Sequence, residues 1–106
     1  VFYSAKSAFV HKPAAVISSS RRAGSVTSMD VLNKHLSISE MPIVTSNYWN
    51  EVHGHTPSDV EQDREGLDTM YALGKNMAWM LKCIEAGKKA GIEVPQNKKR
   101  TTNFIR

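Results

Sequence analysis

The segment Ser18-Ser19-Ser20-Arg21-Arg22-Ala23-Gly24 gathers residue types suited to holding a ligand without a reacting side chain. Successive small residues let backbone N–H groups approach a planar ring and donate to its carbonyls. Arg21 or Arg22 can balance negative charge that develops there. The competing interpretation is a solvated turn carrying two exposed arginines. A second group follows at Tyr48, Trp49, Asn50 and His53. Aromatic side chains after a strand stack on a ring, wall a pocket or seal a subunit contact, and all three uses stay open. His53 and His55 form a pair with no further ligand at a recognisable spacing, so no metal is expected. Asp59, Glu61, Asp63 and Glu65 are spaced by two and suit a helix start better than paired catalytic carboxylates. No side chain stands out as a catalytic nucleophile, acid or base. The single cysteine, Cys83, excludes a disulfide or a multi-cysteine cluster within this chain and reads as a structural thiol.

Strands and helices must position these groups, and the sequence offers few. Ala14-Ala15-Val16-Ile17 is a short apolar run between the breaker His11-Lys12-Pro13 and the polar segment. It predicts a strand buried on both faces, with residues 18–24 as the loop that follows. Met29, Leu32 and Leu36 fall three and four apart and predict a helix over residues 25–36. Met41-Pro42-Ile43-Val44 predicts a second strand, with its proline at the tolerant start. Strand, loop, helix and strand make a βαβ unit with parallel pairing and a right-handed crossover. Ligands of such sheets gather at the carboxyl ends of the strands, where residues 18–24 fall. Residues 45–62 read as a long irregular loop, with a helical turn beginning at the capping pattern Ser58-Asp59-Val60-Glu61. The firmest periodicity comes last. Leu67, Met70, Tyr71, Gly74, Met77, Ala78, Leu81 and Ile84 line one face of a long helix that Gly87 or Gly91 can end. Its methionines and Trp79 read as core and oligomer contacts. Phe2, Tyr3, Phe9 and Val10 look like the close of an amphipathic stretch.

Composition bounds the rest. The 106 residues, 41% hydrophobic and 23% charged, allow one small globular domain. A formal charge of +4 attracts anionic ligands, but the basic residues come in scattered pairs, so no nucleic-acid partner is expected. No apolar run approaches the ~18–20 residues of a membrane helix. No charged-then-apolar leader is seen, and the expected location is cytoplasmic. Two short strands cannot make a stable doubly wound sheet. The chain therefore either pairs with another copy or belongs to something larger.

The order of motifs resembles a family. Lys12-Pro13-Ala14-Ala15-Val16, residues 18–24, Met41-Pro42-Ile43-Val44, Tyr48-Trp49-Asn50 and His53-Gly54 are similar to the C-terminal half of flavodoxin-like NAD(P)H-dependent FMN reductases. The subgroup also contains iron–sulfur flavoproteins. Asp63-Arg64-Glu65-Gly66, Leu73-Gly74 and Asn76-Met77-Ala78-Trp79 resemble the last helix of that family. The resemblance implies an α/β fold, a flavodoxin-like parallel sheet with helices on both faces, of which this chain supplies about two strands and two to three helices. Residues 1–95 would be that C-terminal half and residues 96–106, with Lys98-Lys99-Arg100, a basic tail. It implies FMN as cofactor, NAD(P)H as co-substrate and a small-molecule electron acceptor. By the same resemblance, residues 18–24 cup the flavin ring, with Arg21 or Arg22 balancing the reduced form. Tyr48, Trp49, Asn50 and His53 shape the acceptor pocket or a dimer or tetramer interface. The family's phosphate-binding loop lies in an N-terminal half expected as a partner. A start at Val1 and an end at Arg106 lead to the expectation of a trypsin-like fragment, inactive alone. The alternative is a non-catalytic half-domain that binds a partner chain.

Overall fold

The computed structural model describes residues 1–105. Arg106, the end of the expected basic tail and the expected tryptic terminus, lies outside them. Among the described residues a 3-10 turn, Lys6–Ala8, precedes β1 (Ser18–Ser20), α1 (Ser25–Ile38), β2 (Glu51–His53), α2 (Pro57–Gln62) and α3 (Arg64–Lys89). The described residues form an α/β arrangement with a two-stranded parallel sheet and three α-helices. None of those helices is long and apolar enough to cross a membrane.

The strands sit later than the apolar runs predict. Residues 14–17 and 41–44 make a single parallel bridge at Ala14 and Ile43. There the Ala14 N–H donates to Pro42 O at 3.0 Å and the Val44 N–H to Ala14 O at 2.8 Å. The regular ladder runs through the serines instead, pairing Ser18 with Glu51, Ser19 with Val52 and Ser20 with His53. Ser18, Ser19 and Ser20 are therefore strand residues, and only residues 21–24 form the loop. Serine is tolerated because its hydroxyl finds partners: the Ser25 hydroxyl donates to Ser20 Oγ at 2.7 Å. Apolar runs report burial, whereas the ladder depends on which backbones reach each other.

The two paired regions belong to one interrupted ladder. Pairing advances from Ala14 to Ser18 on one side but from Ile43 to Glu51 on the other. Four extra residues must loop out, a wide relative of the β-bulge that redirects side chains near sites. Ser46 closes it, its Oγ lying 2.7 Å from Tyr48 O and 2.6 Å from Asn50 Oδ1. Asn50 Nδ2 then donates to Val16 O at 3.0 Å, pinning the bulge to the facing strand. Tyr48 and Trp49 are thereby held on the outside.

Each helix starts and stops for a local reason. α1 begins at Gly24, whose φ of 97° is open to glycine, and extends two residues past the expected end. α2 is capped by Thr56, not Ser58: Asp59 Oδ2 accepts the Thr56 N–H at 2.9 Å while the Thr56 hydroxyl accepts the Asp59 N–H at 3.3 Å. Pro57 takes the first helical position, where its missing N–H costs nothing. Asp63 caps α3 by accepting the Gly66 N–H at 3.0 Å. At the far end Gly91, φ 80°, allows Ile92 N–H to reach Gly87 O at 2.9 Å and Gly91 N–H to reach Lys88 O at 3.1 Å. This is a Schellman closure. A Cβ at Gly91 would meet nothing, so Gly91→Ala should cost only the left-handed penalty of about 1 kcal/mol. Thermal melting checks this, and Gly91→Asn should lose less.

α3 faces the sheet with a stripe different from the one its large residues suggest. Gly66, Thr69 and Leu73 are buried, whereas Tyr71 is 72% exposed and Leu81 and Trp79 lie in solvent. Small residues win because the helix comes close: a Cβ on Gly66 would sit 2.9 Å from Val52 Cγ1. Among the described residues buried apolar side chains are few, namely Met29, Leu36, Val44 and Leu73. The surface is correspondingly large. An 11.8 kDa monomer ordinarily exposes about 5,900 Å², and this chain exposes 8536 Å². Its radius of gyration is 17.2 Å, against about 13 Å for a compact domain of this length. Much apolar surface is left exposed among the described residues.

Candidate functional site

The carboxyl ends of both strands converge. Gly54 N–H donates to Ser20 O at 3.1 Å, and the register sets His53 beside Ser20. Residues 21–24 leave β1 here, all exposed, and turn into α1. The first turn of α1 has no side-chain cap and no acidic residue. Its N–H groups before Ser28 have no acceptor inside the helix, and the helix dipole adds partial positive charge. The small profile of Ala23 and Gly24, these donors and two exposed arginines together suit a flat ligand with carbonyl acceptors or an anionic edge.

His53 is held between carboxylates. Its Nδ1 lies 3.9 Å from Asp63 Oδ2 and its Nε2 lies 4.0 Å from Glu51 Oε2. Its backbone N–H donates to the same Asp63 Oδ2 at 2.6 Å. Asp63 thus serves two elements. The Gly66 N–H bond first and the His53 N–H bond second hold its carboxyl below the ordinary aspartate range. A polar recess lined by Tyr48, Glu51, His53, Asp63, Glu65, Gly66 and Thr69 opens beside them. Among the described residues no three His, Cys, Asp or Glu side chains are grouped to hold a metal ion.

The remaining site residues occupy the bulge, on the approach to β2. Tyr48 and Trp49 are more than half exposed, with ring centroids 6.2 Å apart and planes inclined by 52°. They close a cavity of about 380 Å³ against α1, lined there by Val26, Met29, Asp30 and Asn33. Asn50 has another task, since both ends of its carboxamide are used in closing the bulge. The structure therefore joins residues 21–24 with His53 at one end of the sheet and sets Tyr48 and Trp49 apart on the bulge. Tyr48 alone also reaches the His53 recess. Sequence reasoning missed Asp30, Asn33 and Ser46. Asp30 and Asn33 carried a readable signal: a spacing of three that puts both on the same face of α1 as Val26.

Comparison with protein-family models, characterised proteins and solved structures gives no match to this chain.

Proposed function

We propose that the chain is the carboxyl-terminal half of a flavodoxin-like domain that binds FMN and takes hydride from NAD(P)H for a flavin, quinone or other small acceptor. The observation that carries this reading is the uncapped start of α1 at the end of a parallel strand, flanked by Arg21, Arg22 and the left-handed Gly24. When bound, FMN supplies the hydride chemistry. The chain's own groups bind and orient. N–H donors of residues 23–27 face the ring's carbonyl edge, Arg21 or Arg22 offsets negative charge, and Tyr48 and His53 wall the acceptor side.

The phosphate falls to a companion half of the same domain. Support for a companion comes from the outer edge of β1. Parallel pairing turns the backbone groups of Ser18 and Ser20 toward β2 and those of Ser19 to the opposite edge, where no strand lies among the described residues. Ile17, 61% exposed, leads into that edge. Homodimers or tetramers in the cytoplasm complete the proposal.

The test is FMN titration of the full gene product, read by flavin fluorescence. Binding is expected, and Arg22→Ala should weaken it about tenfold, the size of one lost charge-assisted hydrogen bond. A colourless protein, or unchanged affinity and reduction rate in Arg22→Ala, overturns the assignment. A second reading, a non-catalytic module that binds a partner chain, is favoured by the exposed Tyr71, Trp79 and Leu81 on α3. It requires that no flavin bind even to the full product.

A further inference from the structure

The cavity under the bulge is lined by no residue of segment 18–24 and shares only Val26 and Tyr48 with the residues assigned to the flavin. At about 380 Å³ it falls in the ordinary size range of small-molecule sites, ~300–1,000 Å³. Val26, Met29 and Ile43 supply an apolar floor, and the inclined rings of Tyr48 and Trp49 supply two walls. Such walls favour a flat aromatic ligand.

The polar groups narrow the ligand further. Asn33 Oδ1 is withdrawn from solvent and has no hydrogen-bond partner. An unsatisfied buried acceptor costs about 1–3 kcal/mol. Its torsion χ2 is broad and soft, so a modest rotation turns the oxygen into the cavity that the same side chain lines. Asp30, one turn earlier on that face, can only accept when ionised. Two polar groups at the rim are already engaged, Asn50 Nδ2 on Val16 O and the Ser46 hydroxyl within the bulge, so neither competes for these acceptors. Aromatic walls beside the orphaned Asn33 Oδ1 and the Asp30 carboxylate favour a flat ligand that brings donors to these two acceptors.

We infer that this cavity binds a planar heteroaromatic ring bearing an exocyclic NH₂ group, whose N–H bonds satisfy Asn33 and Asp30. Two common sources carry that chemistry, the aminopurine base and the nicotinamide carboxamide. Adenosine and nicotinamide are the probes. Purine riboside and 3-acetylpyridine, which lack the NH₂ group, are their controls. Titration of the full chain, followed by the Trp49 indole N–H resonance in NMR, should show millimolar or tighter binding for one amino-bearing probe. Its control should bind about tenfold weaker, the value of one good hydrogen bond. The probe that discriminates names the source. Asn33→Leu should erase the difference without lowering the melting temperature, because it also removes the orphan oxygen. The proposal is overturned if neither probe shifts Trp49, if probe and control bind alike, or if Asn33→Leu keeps the discrimination.

Discussion

Asp63→Ala should release the junction of β2, α2 and α3, with a loss of about 3 kcal/mol. The figure combines a lost N-cap, about 1–2 kcal/mol, with a lost hydrogen bond to a charged acceptor, about 1.5–3 kcal/mol. The two overlap, since they share one carboxylate. Asp63 Oδ1 serves Gly66 N–H and Oδ2 serves His53 N–H, so a single truncation orphans a donor on each element. Amide exchange should show it directly, with Gly66 and His53 exchanging about a hundredfold faster while residues far along α3 change less. Asp63→Asn should recover only part. Its carboxamide has one oxygen, so one of the two donors must face an NH₂ group.

The pH dependence of this junction has a definite sign. The Asp63 carboxyl is held below its ordinary value by the Gly66 and His53 N–H bonds. Its contribution is therefore complete above the unfolded pKa, about 4, and is lost as pH falls through the lower folded value. Wild type should lose stability relative to Asp63→Asn only below about pH 4. Denaturant midpoints that ran parallel down to pH 2 would remove the carboxylate from this role.

What the sequence disclosed follows from what kind of signal each feature leaves. The βαβ order, α1 and the long helix came from periodicity and breakers, which report burial and helix ends well. The positions of the strands did not. Apolar residues 14–17 and 41–44 mark where the chain is shielded, whereas the ladder formed at Ser18–Ser20 and Glu51–His53. Backbone pairing there depends on a bulge whose closing bonds, from Ser46 and Asn50, join residues up to 34 apart in sequence. No local pattern encodes that. The stripe of α3 was misplaced for a related reason. Counting large apolar residues cannot find a face built on Gly66 and Thr69, because its value lies in close approach to Val52.

The site was legible in the same uneven way. Residues 21–24 and His53 meet at one end of the sheet because a strand's carboxyl end and a helix start are both sequence-local. From sequence Tyr48 and Trp49 suit a ring stack, a pocket wall or a subunit contact alike, and the bulge places them at the edge of a cavity. Asn50 was grouped with them by adjacency, yet its carboxamide is consumed by Ser46 and Val16. Adjacent positions on irregular backbone share no face. Asp63, read as a helix-start charge, turned out also to hold β2.

Gly54→Ala tests whether the end of β2 tolerates any change, and a loss of about 2–4 kcal/mol is expected. A methyl there would lie 2.6 Å from Val60 Cγ2, 2.8 Å from Val60 N and 3.2 Å from Asp59 Cβ. The side chain can swing away. The backbone nitrogen cannot, because Val60 N–H is bonded to Thr56 O at 3.2 Å within α2. Gly54 is equally fixed by its own bond to Ser20 O. Overpacking of this kind costs about 1–3 kcal/mol, and displaced α2 would loosen the Thr56–Asp59 cap and strain Asp63 beyond it. A melting temperature lower by about 10 °C is expected, together with faster exchange at His53. Gly74→Ala supplies the contrast. A Cβ there meets nothing within 4 Å, and glycine inside a helix is worse than alanine by about 0.5–1 kcal/mol. It should therefore stabilise. If both substitutions moved stability the same way, the close approach of α2 to the end of β2 would not be what holds this edge of the site.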